Sequence, residues 1–119
     1  MHELSIAQNI LDIIRQSVPP PSHAKIRFVD VKVGVMSGVV AESLSFSFAA
    51  IIQDTDLASC AMNILEIPYV IRCHTCAKET SGSAGLALCP ECGGLDTEVL
   101  SGMELEIQSI HLEEEDQPA

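Results

Sequence analysis

Four of the chain's five cysteines form two C-x-x-C pairs, Cys73-His74-Thr75-Cys76 and Cys89-Pro90-Glu91-Cys92, with twelve residues between them. Two residues between cysteines let both sulfurs of a tight turn reach one ion. Two such turns supply a closed tetrahedral S4 cage. Zn²⁺ suits that cage, because it prefers soft thiolates and brings no geometric demand of its own. Pro90 and the Gly93-Gly94 pair supply the turn chemistry that such knuckles need. A thioredoxin-like redox pair would need one motif at a helix start, and the sequence offers none. Haem attachment would need His after the second cysteine, where Ala77 and Gly93 stand. His74 reads as a surface group beside the cage, and Cys60 as a small buried hydrophobe.

A second metal-competent arrangement opens the chain, Met1-His2-Glu3-Leu4-Ser5. His2 is large, so Met1 and its free α-amine are expected to stay. An α-amine titrates at roughly 8, and a nearby helix N-terminus eases its deprotonation. The amine nitrogen, the His2 amide nitrogen and the His2 Nδ1 can chelate one ion through fused five- and six-membered rings. The Glu3 amide or an incoming ligand can complete the plane. Such a nitrogen-rich set suits Ni²⁺ or Cu²⁺. The residues alone allow a plainer reading, with His2 an exposed side chain and Glu3 an acid at a helix N-terminus. His23 and His111 read as ordinary exposed histidines.

Several elements must position these groups. Residues 4–16 carry an amphipathic helix pattern through Leu4, Ala7, Leu11 and Ile14, widened by Ile6, Ile10 and Ile13. Ser5 and Gln8 have capping-box spacing, which would start the helix just after Ser5 and leave residues 1–4 as an arm. Pro19-Pro20-Pro21 makes Ser17–Ala24 a connection. A long strand is expected over 25–36, with a change of phase at Phe28-Val29 that suggests a bulge. Residues 41–53 fit both periods, and their length and the Ala49-Ala50 pair favour a helix. Short strands follow over 61–68 and 103–112. Between Val70 and about Leu95, Cys, Gly, Ser and Thr replace large apolar residues, as in an inserted module. A module of about 25 residues buries too little surface to fold alone, so its metal must organise it. The acidic end, residues 113–119, reads as a solvated tail.

Composition narrows the function. At 47% hydrophobic, the 119-residue chain can bury a core. Six Lys and Arg against seventeen Asp and Glu leave a net charge of −11. Such a chain repels phosphate backbones, and without Trp it has little on which to stack bases, so nucleic acid is not expected as a partner. The uncharged run Ser43 to Gln53 is eleven residues, against roughly 18 to 20 for a membrane span, so no membrane is expected either. The N-terminus lacks the pattern of a signal peptide, and paired C-x-x-C motifs suit a reducing compartment, so the expected location is cytoplasmic. No nucleophile–base constellation points to an enzyme.

The opening Met1-His2-Glu3-Leu4-Ser5, joined to Cys73-x2-Cys76-x12-Cys89-x2-Cys92, resembles the HypA/HybF family of hydrogenase-maturation nickel metallochaperones. Residues 34–48, Gly-Val-Met-Ser-Gly-Val-Val-Ala-Glu-Ser-Leu-Ser-Phe-Ser-Phe, look like the family's central segment, and Gly102-Met103-Glu104-Leu105-Glu106-Ile107 like its closing strand. The similarity covers residues 1–112. It implies an α+β fold: two helices packed on a three-stranded sheet, with an inserted zinc-ribbon module. It implies a nickel-binding domain over residues 1–69 and 98–119 and a zinc ribbon over 70–97. Met1, His2 and Glu3 would carry Ni(II) as transient cargo. Cys73, Cys76, Cys89 and Cys92 would hold one structural Zn(II) per chain. A GTPase partner and the large subunit of [NiFe] hydrogenase are the implied partners. Two other classes are distinguishable. A zinc-ribbon interaction adaptor would bind partners without delivering metal. An electron carrier would hold iron in the cage, since the Cys89-to-Gly93 knuckle looks like that of a rubredoxin, and its colour would reveal it.

Overall fold

The computed structural model describes residues 3–81 and 88–113. Its first element is helix α1 (Glu3–Ser17). Ile6, Ala7, Ile10, Leu11 and Ile14 are its buried face, the spacing that puts side chains on one stripe of a 3.6-residue helix. The stripe is narrower than the sequence suggests. Leu4 and Ile13 are 56% and 48% exposed, each about a quarter-turn from the centre of the buried face. Ser5 lies inside the first turn, so it does not cap α1, and residues 3 and 4 are helical, not part of an arm. The connection after α1 is itself wound into a 3-10 turn (Pro20–Lys25). Prolines at its first positions lack only N–H groups that would be unpaired there anyway.

Strand β1 (Ile26–Gly34) follows. Burial shifts phase along it, from Ile26 to Val29, Val31 and Val33, as the change of hydrophobic period implies. A turn ends it, with the Ser37 N–H donating to the Gly34 carbonyl at 3.0 Å and Gly38 at φ +82°. Helix α2 (Ala41–Ile52) resolves the ambiguity of its segment. Leu44, Phe48 and Ile52, four residues apart, are buried, whereas Phe46 is 76% exposed. A strand would have put Phe46 on the face of Leu44 and Phe48. The two helices pack on each other. Strands β2 (Ala61–Ile67) and β6 (Leu105–Leu112) flank β1 in a three-stranded sheet ordered β2-β1-β6. Met103 precedes β6 and is exposed. This is the α+β arrangement of two helices on a three-stranded sheet.

A second three-stranded sheet, ordered β4-β3-β5, comes from β3 (Val70–Cys73), β4 (Glu79–Ser81) and β5 (Thr97–Ser101). Both of its pairings are antiparallel. This small sheet carries the cysteine knuckles. Its residues fall in a compact unit made of Lys32–Val39 and Leu65–Glu106. The other unit comprises Met1–Val31, Val40–Ile64 and Ile107–Ala119.

Two glycines of the cysteine-bearing unit sit where no side chain fits. A Cβ on Gly34 would lie 2.0 Å from the Gly102 carbonyl oxygen. A Cβ on Gly102, which stands at φ +111°, would lie 2.6 Å from the Tyr69 Cα. That approach lets the Gly34 N–H reach the Glu104 carbonyl at 2.7 Å and the Met36 N–H reach Gly102 at 2.8 Å. This backbone pairing lies where the chain returns from the cysteine knuckles to β6, beside a Ser101 hydroxyl bond to the Pro68 carbonyl at 2.7 Å.

Among the described residues, no helix is long and apolar enough to cross a membrane. Of the acidic tail, Glu113 is described. Its N–H donates to the Lys25 carbonyl at 2.7 Å, and Arg27 reaches its carboxylate at 2.8 Å. The rest of the expected tail, residues 114–119, lies outside the described residues.

Candidate metal centres

The two knuckles are built alike. In the first, the Ala77 N–H donates to the Cys73 carbonyl at 2.8 Å and the Cys73 N–H to Lys78 at 2.9 Å. In the second, Gly93 donates to Cys89 at 2.8 Å and Cys89 to Gly94 at 3.0 Å. Both turns need a left-handed residue after the second cysteine, Gly93 at φ +73° and Ala77 at φ +63°. Glycine adopts that conformation freely, and alanine does so under strain. The first knuckle therefore has the shape of the second despite lacking its glycine.

The turns bring Cys73, Cys76, Cys89 and Cys92 together, with all four sulfurs within 4.8 Å of one another. Cys73 and Cys92 are 3.6 Å apart at Sγ, and Cys76 and Cys89 are 3.7 Å apart. Zinc–thiolate bonds of about 2.3 Å in a tetrahedron place sulfurs about 3.8 Å apart, so the cluster has the size of a zinc cage. A Cβ on Gly94 would sit 3.2 Å from the Cys92 sulfur and 3.6 Å from that of Cys73, so a bare backbone closes the cage on that side.

The thiol acidities describe a cluster made for a cation. Hydrogen bonds from the backbone at Cys76, and then from Thr75, lower Cys73 to about 6. At Cys92 the Gly94 amide works in the same direction, but neighbouring Cys73, burial and Cys89 outweigh it and push the thiol up to about 12. Cys76 has a lowering amide contact from Lys78, which burial and the neighbouring sulfurs overcome, and its value is raised. A thiolate is easy to hold at Cys73 and harder to hold at Cys76 and Cys92, because like charges at contact distance oppose ionisation. A divalent cation removes that conflict, and binding it releases the remaining protons.

His74 stays half exposed beside the cage, with Nε2 3.8 Å from Glu98. Cys60 is buried and is not among the clustered cysteines, and burial pushes its thiol up to about 11. Arg72, in the middle strand, pairs across the sheet with Glu79 at 3.2 Å and Glu98 at 3.5 Å. Lys78 lies 3.6 Å from Glu91. The described cations of this module face carboxylates, and they form no basic patch.

Of the N-terminal candidates, Met1 and His2 lie outside the described residues. Glu3 is described, and its carboxylate has a definite task. Its Oε2 accepts from the Val40 N–H at 3.3 Å and its Oε1 from the Ser43 hydroxyl at 3.4 Å. Val40 is the N-cap residue of α2 and has no side-chain acceptor to offer. Glu3 supplies one from another helix, in the role that a residue three positions on plays in a capping box. The Val40 amide is the main cause that holds the Glu3 carboxyl below its usual range. Sequence reasoning missed this link across 37 positions, though a valine in front of α2 signals a cap that must come from elsewhere.

Two histidines also differ from expectation. His23 is 3% exposed. Its Nε2 donates to the Val18 carbonyl at 2.7 Å, and its Nδ1 meets Asp56 at 2.7 Å, where Arg15 also binds at 3.0 Å. The three prolines fold the connection back over α1, and that buries a residue the sequence reading leaves in solvent. His111 is half exposed but not idle, with Nε2 2.9 Å from Asp30 and its ring stacked on Phe28.

A family model described as hydrogenase/urease nickel incorporation, metallochaperone, hypA matches residues 1–112. The chain belongs to the HypA family. A hydrogenase maturation factor HypA from Streptomyces avermitilis is 39% identical over 116 residues, covering 96% of this chain and 88% of that protein. One from Solidesulfovibrio magneticus is 39% identical over 117 residues, covering 95% and 100%. The fold agrees with the solution structure of the Ni metallochaperone HypA from Helicobacter pylori, at a TM-score of 0.65 and 18% identity, over 97% of this chain and 100% of that one. The span that the HypA model matches takes in the opening residues, the cysteine knuckles and β6.

Proposed function

We propose that this chain binds Ni(II) through Met1, His2 and Glu3 and delivers it, with a GTPase partner, to the large subunit of [NiFe] hydrogenase during maturation. The observation that supports this reading is a family match that begins at residue 1 and so covers Met1, His2 and Glu3. In this reading residues 1–69 and 98–119 form the nickel-binding domain and residues 70–97 the zinc ribbon. The chain acts in the cytoplasm by binding and transfer and not by catalysis.

The division of labour follows from ligand chemistry. Cys73, Cys76, Cys89 and Cys92 hold one structural Zn(II), which orders the knuckles and offers no free coordination position. Nickel is cargo, so its site must stay incomplete enough to give the ion up. Nitrogen ligands at a chain terminus meet that need. Glu3 contributes its main-chain amide, and its carboxylate secures α2.

The adaptor reading has one observation in its favour. Leu88, Leu95, Val99 and Leu100 of the cysteine-bearing unit are exposed and apolar, as a partner-docking face would be. One experiment separates the readings. Protein with its native Met1 terminus is titrated with nickel beside the same protein carrying a Gly-Ser extension, which converts the amine to an amide. Tight binding confined to the native terminus is the expected result. No tight nickel binding by either form, with zinc retained at one per chain, would leave the adaptor.

A further inference from the structure

One cluster of ligand-type side chains plays no part in the function proposed above. It lies on the face of β1, β2 and β6 that Asp30 shares with Phe28, alternating with the buried Val29 and Val31. Asp30 Oδ2 is 2.9 Å from His111 Nε2 and 2.9 Å from Ser109 Oγ, and Ser109 Oγ is 3.0 Å from His111 Nε2. Ser109 and His111, two apart on β6, project to the same side. Asn63 of β2 donates to the other Asp30 oxygen at 3.3 Å. Phe28 stacks on the His111 ring, with centroids 4.2 Å apart and planes at 20°, which fixes where the imidazole points.

The three atoms form a nearly equilateral triangle, and hydrogen bonds account for it only in part. The serine proton and the histidine N–H can each point at Asp30, so with a neutral ring two protons serve three edges. Nor is the cluster a catalytic triad. There, serine and carboxylate bind opposite ring nitrogens, whereas here both crowd Nε2. Metal–ligand bonds of about 2.1 Å in an octahedron give edges of about 3.0 Å, so the triangle has the dimensions of one octahedral face.

We propose that Asp30 Oδ2, Ser109 Oγ and His111 Nε2 form a second, exchangeable site for a divalent first-row transition metal, Ni²⁺ among the ions that its imidazole and oxygen ligands accept. Imidazole suits nickel, and one carboxylate lowers the charge at the ion. The remaining three octahedral positions belong to water or to ligands of an acceptor. Half-exposed His111, beside Asp30 at 18%, leaves them accessible. A surface of net negative charge raises the local concentration of cations around such a site. This site is independent of the N-terminal one and opposite in character to the closed sulfur cage.

The test uses the full zinc-loaded chain in four forms: wild type, His2→Ala, His111→Ala and the double variant. NiCl2 is titrated by calorimetry, with NMR of the His111 ring and the Asn63 side-chain amide. An octahedral nitrogen–oxygen nickel site is high-spin and broadens nearby signals, whereas a planar nitrogen site is not paramagnetic. The expected result is a weak equivalent in His2→Ala that broadens both signals and loses roughly tenfold or more in affinity when His111→Ala is added. Asp30→Asn, which keeps a hydrogen-bond acceptor, should lose the equivalent as well. Unchanged weak binding in the double variant, or signals that nickel leaves sharp, would overturn the proposal. The His2 comparison scores the N-terminal site separately.

Discussion

Ala77 and Gly93 occupy the same place in two knuckles of the same shape, so exchanging their residue types should move zinc affinity in opposite directions. Both stand in the left-handed region, at φ +63° and φ +73°. A non-glycine residue there costs about 1–2 kcal/mol. Glycine returns about 0.4–1 kcal/mol of that through a freer unfolded chain. The difference is about 0.5–1 kcal/mol in favour of glycine at either position. At Gly93 an added Cβ meets nothing within 4 Å, so Gly93→Ala tests the backbone term without a clash. Where the metal organises the module, folding energy is part of binding energy. Zinc affinity should therefore fall roughly two- to fivefold in Gly93→Ala and rise by a similar factor in Ala77→Gly. Competition against a chromophoric chelator at fixed pH measures both. The double exchange should lie near wild type. Shifts of the same sign in the two single variants would refute the argument, because the knuckles would then differ in more than one residue's strain.

Three further outcomes follow from named contacts. Gly34→Ala should destabilise by about 3 kcal/mol or more in urea unfolding, because its Cβ would lie 2.0 Å from the Gly102 carbonyl, which no side-chain rotation can relieve; a change under about 1 kcal/mol would mean that the close pairing is not required. Asp56 has its carboxyl lowered first by His23 and then by Arg15. A lowered folded-state value gives stability that is present above the ordinary range near about 4 and lost as pH falls through the lowered value, so Asp56→Asn should lower stability at neutral pH and flatten its fall with acid, the variant and the wild type converging below that window. Thr80 carries a buried hydroxyl with no hydrogen-bond partner among the described residues; Thr80→Val should raise the melting temperature, by about 1 kcal/mol of stability, and a lowered one would show that the hydroxyl has a partner in solution.

What was legible in the chain was local. The cysteine spacing names the cage because C-x-x-C is a complete turn, and that turn carries its own hydrogen bonds at Cys73 and Cys89. The 3.6-residue stripe of α1 and the alternation of Val29, Val31 and Val33 likewise need only neighbours in sequence. What was not legible depended on distant partners. Ser5 and Gln8 have capping spacing, yet α1 already includes Glu3, whose carboxylate is engaged at α2. His23 resembles any histidine in a proline-rich loop until Asp56, 33 residues away, meets its ring. Phe46 fits the strand period of its segment and not the helical one, and the helix that forms leaves it in solvent. Asp30 and His111 are 81 positions apart, and their approach exists only once β1 and β6 are adjacent.

If nickel binds at the N-terminus as proposed, the long-range contact that bears most on it is that of Glu3. A chelate built from the first residues of a chain uses main-chain atoms, and free ends lose much of their affinity to the entropy of ordering them. Glu3 removes part of that loss in two ways. It is already helical as the first residue of α1, and its carboxylate is held at the N-terminus of α2 by Val40 and Ser43. The favourable end of the α2 dipole adds to the hold. A carboxylate engaged in this way is a poor metal ligand but a good anchor. The distinction has a consequence for variants. Glu3→Gln keeps an oxygen acceptor for the Val40 amide and should keep most of the nickel affinity, whereas Glu3→Ala frees the anchor and should weaken it. A carboxylate ligand would predict equal losses in both, so nickel titration of the pair decides which part of Glu3 the metal uses.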